Sequence, residues 1–122
     1  MSFGQAPLLD PERLEELSGL FTPEDLADLL ETLASEVLAE LDQAAAAAQS
    51  DNRPELAGAA HKIRNSGLMV GGTQLVALAT ELESRARDES IQLDTERLIE
   101  RLRGCWKETL AAITTRDTSP GH

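Results

Sequence analysis

Thr22-Pro-Glu-Asp-Leu26-Ala-Asp-Leu29-Leu30-Glu-Thr-Leu33-Ala-Ser-Glu-Val37-Leu-Ala-Glu-Leu41-Asp-Gln-Ala44 is the stretch whose reading decides the fold. Thr22 has the chemistry of a helix cap, Pro23 suits the first helical position, and Glu24 and Asp25 favour the first turn. Behind them Leu26, Leu29, Leu30, Leu33, Val37, Leu41 and Ala44 recur every three or four residues, which draws one apolar stripe along a long helix. A helix with one greasy stripe must bury it against other elements.

The flanks repeat this grammar. Upstream, Asp10-Pro11-Glu12 is a second cap, proline and acid, and predicts a short lead helix to about Leu17. Downstream, Asp51-Asn52-Arg53-Pro54 breaks and restarts the chain. A third helix follows with Leu56, Ala60, Ile63, Gly67 and Val70 on one stripe, and it stops at Gly71-Gly72. A fourth runs from Thr73 with Leu75, Leu78, Ala79, Leu82 and Ala86 inward. Asp94 is the expected cap of a fifth, which turns Leu98, Leu102, Cys105, Trp106, Leu110 and Ile113 to the core. The polar stretch from Thr114 to His122, with its Pro-Gly, is expected to fray. The predicted fold is all-α: an antiparallel up-down four-helix bundle with an additional short N-terminal helix. With no internal repeat or boundary, residues 1–122 read as one domain with an ordered core over about 10–114.

Bulk composition agrees. The 122 residues are 41% apolar, and Leu and Ala supply nearly all of that bulk. Both favour helix, while strand formers are scarce. No apolar run approaches the ~20 residues needed to cross a bilayer, and Met1-Ser-Phe-Gly lacks the basic stretch of a secretion signal. A single cysteine, Cys105, excludes an internal disulfide and suits a reducing compartment. The expectation is a cytoplasmic protein without a membrane partner. The starting Met and the polar tail are those expected of a free-standing chain rather than a fragment.

The formal charge of −11 argues against nucleic-acid binding. Its distribution says more. Residues 1–50 hold eleven acids and one base, while residues 51–122 hold eleven acids and ten bases. Between Leu56 and Thr80 there is no acid at all, yet Lys62 and Arg64 fall there. Such a stretch fits chance or a buried central helix, and equally the approach of something anionic.

His61 lies inside that stretch. At ~100° per residue it points about 140° from Leu56, the middle of the apolar stripe, so it faces solvent. Ala57, Gly58, Asn65 and Leu68 share its face, and three of these four are small or short. Gly58 costs the helix about 1 kcal/mol relative to alanine. A histidine standing among small residues suits a partner that approaches closely. Lys62, ~100° around the helix, is read chiefly as a solvated lysine at the edge of this docking face.

A hairpin folded at Gly71-Gly72 sets Glu83 level with His61, both ~15–17 Å from the turn at 1.5 Å per residue. A carboxylate there can accept the imidazole Nδ1–H, fix the tautomer and leave the Nε2 lone pair free. Pairing with Arg87 four residues on is the plainer role for Glu83.

The run His61-Lys-Ile-Arg-Asn-Ser-Gly-Leu-Met-Val-Gly71 resembles the signature of histidine-containing phosphotransfer (HPt) domains: histidine, a variable residue, an aliphatic, a base, then small residues before a hydrophobic and a glycine. The resemblance covers about 57–83 in motif and about 20–113 in architecture. It implies that His61 is the phosphoacceptor, that Arg64 is the nearby base (usually lysine) and that Glu83 hydrogen-bonds the histidine. The family commonly has glycine where this chain has Asn65, which bears on how closely a partner docks. The partners implied are response-regulator receiver domains and a hybrid histidine kinase, relaying a phosphoryl group to and from a monomeric carrier. The carrier itself needs no cofactor, the Mg²⁺ belonging to the receiver.

Other chemistries fit less well. There is no GxxxxGK[ST] phosphate loop, so the chain is expected to carry phosphate without kinase activity of its own. A kinase dimerisation helix typically has an acid after its histidine, where this chain has Lys62. A carboxylate-bridged metal bundle needs Glu-x-x-His pairs, and the residue three before His61 is Gly58, so no metal site is expected. Cys105 sits on an apolar stripe beside Trp106 and reads as core. The remaining alternative is an HPt-like module that docks receivers or kinases without carrying phosphate.

Overall fold

The computed structural model describes residues 7–117; Met1 to Ala6 and the last five residues, His122 among them, lie outside the described residues. Five helices follow in order: α1 (Pro11–Leu20), α2 (Pro23–Gln49), α3 (Arg53–Val70), α4 (Thr73–Arg87) and α5 (Glu96–Asp117). Each of the first three opens as its sequence dictates. Asp10, Thr22 and Asn52 accept hydrogen bonds from the backbone N–H of Glu12, Asp25 and Glu55, and a proline stands in each first turn. Such caps contribute about 1 kcal/mol each.

α2, α3, α4 and α5 form a closed ring in which each helix packs on its two neighbours, while the backbones of diagonal pairs stay apart. Short connections make the neighbours antiparallel. The centre is filled by the predicted stripes: Val37 and Leu41 from α2, Leu56 and Ile63 from α3, Leu75 and Leu82 from α4, and Leu102 and Trp106 from α5. Burial of each large side chain stabilises the fold by roughly 1.5–3 kcal/mol. Leu29, Leu30 and Leu110 are only half-buried at the edge of this core.

Both tight turns end their helix in the same way. At the end of α3, Gly71 N–H donates to Leu68 O and Gly72 N–H to Gly67 O, with Gly71 at φ 70°. At the end of α2, Asp51 N–H donates to Ala48 O and Asn52 N–H to Ala47 O, with Asp51 at φ 55°. This pair of bonds satisfies carbonyls that the helix leaves over, and it needs one residue in the left-handed region. α1 lies across the α3–α4 turn. Asp10 N–H donates to Gly71 O at 2.7 Å and Arg13 Nε–H to Met69 O at 3.0 Å.

Three boundaries differ from expectation. α1 continues through Leu20 because nothing stops it before the Thr22-Pro23 pair. α5 opens at Glu96, and Thr95 rather than Asp94 holds the capping place, its carbonyl accepting from Ile99 N–H. α5 also runs to Asp117, past Thr114, anchored by buried Ile113. The chain between α4 and α5 is held by Arg53, whose guanidinium donates to the carbonyls of Arg85, Ala86, Asp88 and Ile91. No helix of the described residues is long and apolar enough to cross a membrane.

Candidate functional site

α3 is clamped between α2 and α4, and this sets what its outer face can offer. His61, Lys62, Asn65, Leu68 and Met69 are exposed, and Gly58 is half-buried. Leu68 is 56% exposed, large for a leucine, and stands on the same face as His61. Ala57 does not belong to this face, contrary to expectation: it is 1% exposed. Two flanking helices widen the buried arc of α3 beyond one stripe, and Ala57, ~100° from Leu56, falls inside it.

His61 stands near the middle of α3 with its side chain 46% exposed. Glu83 comes from α4, as the hairpin geometry required, with its side chain 14% exposed. Its Oε2 lies 3.6 Å from His61 Nδ1, close enough to attract charge and too far for a hydrogen bond. Arg64 occupies the place between them. Its Nη2 lies 2.9 Å from His61 Nδ1, and its Nη1 lies 3.4 Å from Glu83 Oε1. From the other side Arg87 grips Glu83 Oε2 through Nε and Nη2 at 3.2 and 3.0 Å. Two atoms inside this cluster, Arg64 Nε and Glu83 Oε1, are buried without a hydrogen bond. His61 Nε2, by contrast, has no hydrogen-bond or ion-pair partner among the described residues, and it is the nitrogen open to a visitor.

Lys62 turns away. Its Nζ pairs with Glu40 on α2 at 3.7 Å and takes no part in the cluster. Glu40 was not singled out from the sequence, since an acid on a long acidic helix carries no local signal. The acid-free stretch around His61 therefore borders carboxylates from neighbouring helices: Glu40 pairs with Lys62, Glu36 lines the same hollow as Lys62 and Asn65, and Glu83 pairs with both Arg64 and Arg87. Within the group at the His61 ring two guanidiniums thus meet one carboxylate, which favours an anionic visitor there.

The described residues hold no group of three or more His, Cys, Asp or Glu side chains placed to bind a metal ion. Cys105 is buried beside Trp106, with its thiol facing Gln74 and Thr109. Burial pushes that thiol up from its ordinary value, partly opposed by the Thr109 hydroxyl.

Residues 28–114 match the Hpt domain family. Among solved structures the chain is similar to histidine-containing phosphotransfer protein B (HptB) from Pseudomonas aeruginosa PAO1, with a TM-score of 0.81 and 23% identity. That match covers 91% of this chain and 95% of the other. No curated protein matches the chain significantly.

Proposed function

Because the chain belongs to the Hpt domain family, we propose that it relays a phosphoryl group between receiver domains of a two-component phosphorelay, carrying it on His61. One observation carries this reading: an imidazole projects into solvent from the middle of a bundle helix, with Nε2 unengaged and a carboxylate on its Nδ1 side. Neutral histidine is a competent nucleophile near neutral pH.

In the proposed step a receiver brings an aspartyl phosphate, with its own Mg²⁺, against the face formed by Gly58, His61, Asn65 and Leu68. The Nε2 lone pair forms the N–P bond while the P–O bond to the aspartyl carboxylate breaks, and the carboxylate leaves with the electron pair. Charge spreads over the equatorial oxygens in a loose transition state. Arg64, one helical turn from His61, offsets that charge. Nδ1 keeps its proton and donates it as a hydrogen bond to Glu83, which steadies the ring as it becomes cationic. Transfer runs in reverse to a second receiver, since neither carrier traps the group.

The family's members carry phosphoryl groups and are not kinases. The carrier is proposed to act as a cytoplasmic monomer, loaded through a hybrid histidine kinase. Incubation with a labelled phosphoreceiver tests the reading. The expected outcome is an acid-labile, alkali-stable label on the chain that is absent from His61→Gln. Stable binding without transfer would establish the docking module instead.

A further inference from the structure

The contact between Arg64 and His61 has a chemical consequence. An arginine has donors only, so Nη2 at 2.9 Å requires Nδ1 to offer its lone pair. A neutral imidazole carries one N–H, which must then sit on Nε2. In this arrangement the open nitrogen holds a proton and has no lone pair to attack with. We infer that Arg64 is a tautomer lock: it keeps resting His61 in the Nε2–H form, and its departure from Nδ1 makes Nε2 a nucleophile. The inference rests on His61 being the phosphoacceptor.

The surroundings supply what release requires. Glu83 Oε2 waits 3.6 Å from Nδ1, so closing to hydrogen-bond distance takes a shift of less than about 1 Å. Arg87 holds that same carboxylate oxygen and keeps it within reach. The lock also leaves Arg64 Nε and Glu83 Oε1 buried and unbonded, so the cluster is not saturated in its present form. An arriving phosphoryl group offers Arg64 a dianionic acceptor, a stronger one than a neutral imidazole nitrogen. Once Arg64 turns to it, the Nε2 proton passes to water and a proton from water joins Nδ1, which then donates a hydrogen bond to Glu83. The ring's charge is unchanged by this exchange. Arg64 thus couples the presence of phosphate to activation of the nucleophile, and spares an idle chain an exposed, reactive nitrogen.

Long-range ¹H–¹⁵N correlation of the imidazole distinguishes the two tautomers directly. It is recorded on the full chain carrying His122→Gln, so that one histidine remains, at a pH where the ring is neutral. The wild-type ring is expected in the Nε2–H form. Arg64→Met, which keeps most of the stem's volume, and Arg64→Ala are each expected to invert the majority to Nδ1–H. Adding Glu83→Ala to either should restore Nε2–H. A wild-type ring already in the Nδ1–H form, or a tautomer indifferent to Arg64, overturns the lock. No partner is needed for the spectrum, so the two readings fail separately. A chain that takes label on His61 yet rests as Nδ1–H loses only the lock. A locked ring that never accepts phosphate loses only the relay.

Discussion

Glu83 on α4 stands beside His61 on α3, its Oε2 3.6 Å from the imidazole Nδ1, and the meeting is set by where the chain turns. Gly71 in the left-handed region and Gly72 close the hairpin in two residues, and equal lengths of helix then place the two side chains level. In the proposed relay Glu83 steadies the ring as it becomes cationic. Glu83→Ala is expected to slow phosphotransfer roughly tenfold, about 1.4 kcal/mol of barrier. Arg64→Met frees Nε2 but also deprives the phosphoryl oxygens of the guanidinium's positive charge; the second effect dominates, and the net cost is expected to be larger, about 100-fold. Rapid-quench transfer from a labelled receiver measures both.

Two glycines of α3 have opposite expected responses to alanine. A Cβ at Gly67 would meet Val76 Cγ2 at 2.9 Å across the α3–α4 seam, whereas a Cβ at Gly58 meets nothing within 4 Å. Gly67→Ala should therefore destabilise the bundle by about 1–3 kcal/mol through overpacking. Gly58→Ala should stabilise it by up to about 1 kcal/mol through helix propensity. The new methyl also lies on the face beside His61, so the same variant should slow transfer while raising stability. Urea unfolding followed by the fluorescence of buried Trp106 gives the stabilities.

The apolar stripes were legible in the sequence because helical period alone places them, and the exposure of His61 follows from the same arithmetic. Glu83 was legible because two glycines fix a hairpin. Ala57 was misplaced since periodicity gives the direction of a stripe and not its width, which depends on how many neighbours clamp the helix. The Arg64 contact with Nδ1 is a competition between two partners for one nitrogen, settled by side-chain geometry that no spacing encodes. Arg53 was passed over as part of a break in the chain, yet its guanidinium serves carbonyls of a helix end and loop that meet it only in the folded bundle.

Loss of those bonds should be felt at a distance. Arg53→Met leaves the carbonyls of Arg85, Ala86, Asp88 and Ile91 without their shared donor. A cost of about 1–3 kcal/mol is expected. Hydrogen exchange should quicken first from the end of α4 to the start of α5, while the α2–α3 turn keeps its protection.

Cys105 is expected to be inert in the native protein. Burial raises its thiol above the ordinary value, so less thiolate is present at any given pH, and the side chain is 5% exposed. Iodoacetamide at mildly alkaline pH should label it far more slowly than in urea. The unfolded chain ionises this thiol first, so stability should fall as pH climbs past the ordinary thiol range. Cys105→Ala should reduce that loss.

Position of the phosphorus atom is the most direct measurement. The chain is loaded from a phosphoreceiver and ¹⁵N-labelled at histidine, and the phosphorus–nitrogen coupling is read by NMR. A single N–P bond at Nε2 of His61, with Nδ1 unphosphorylated, is the expected result. Phosphorus on Nδ1, on another residue, or nowhere on a chain that still binds the receiver would contradict it.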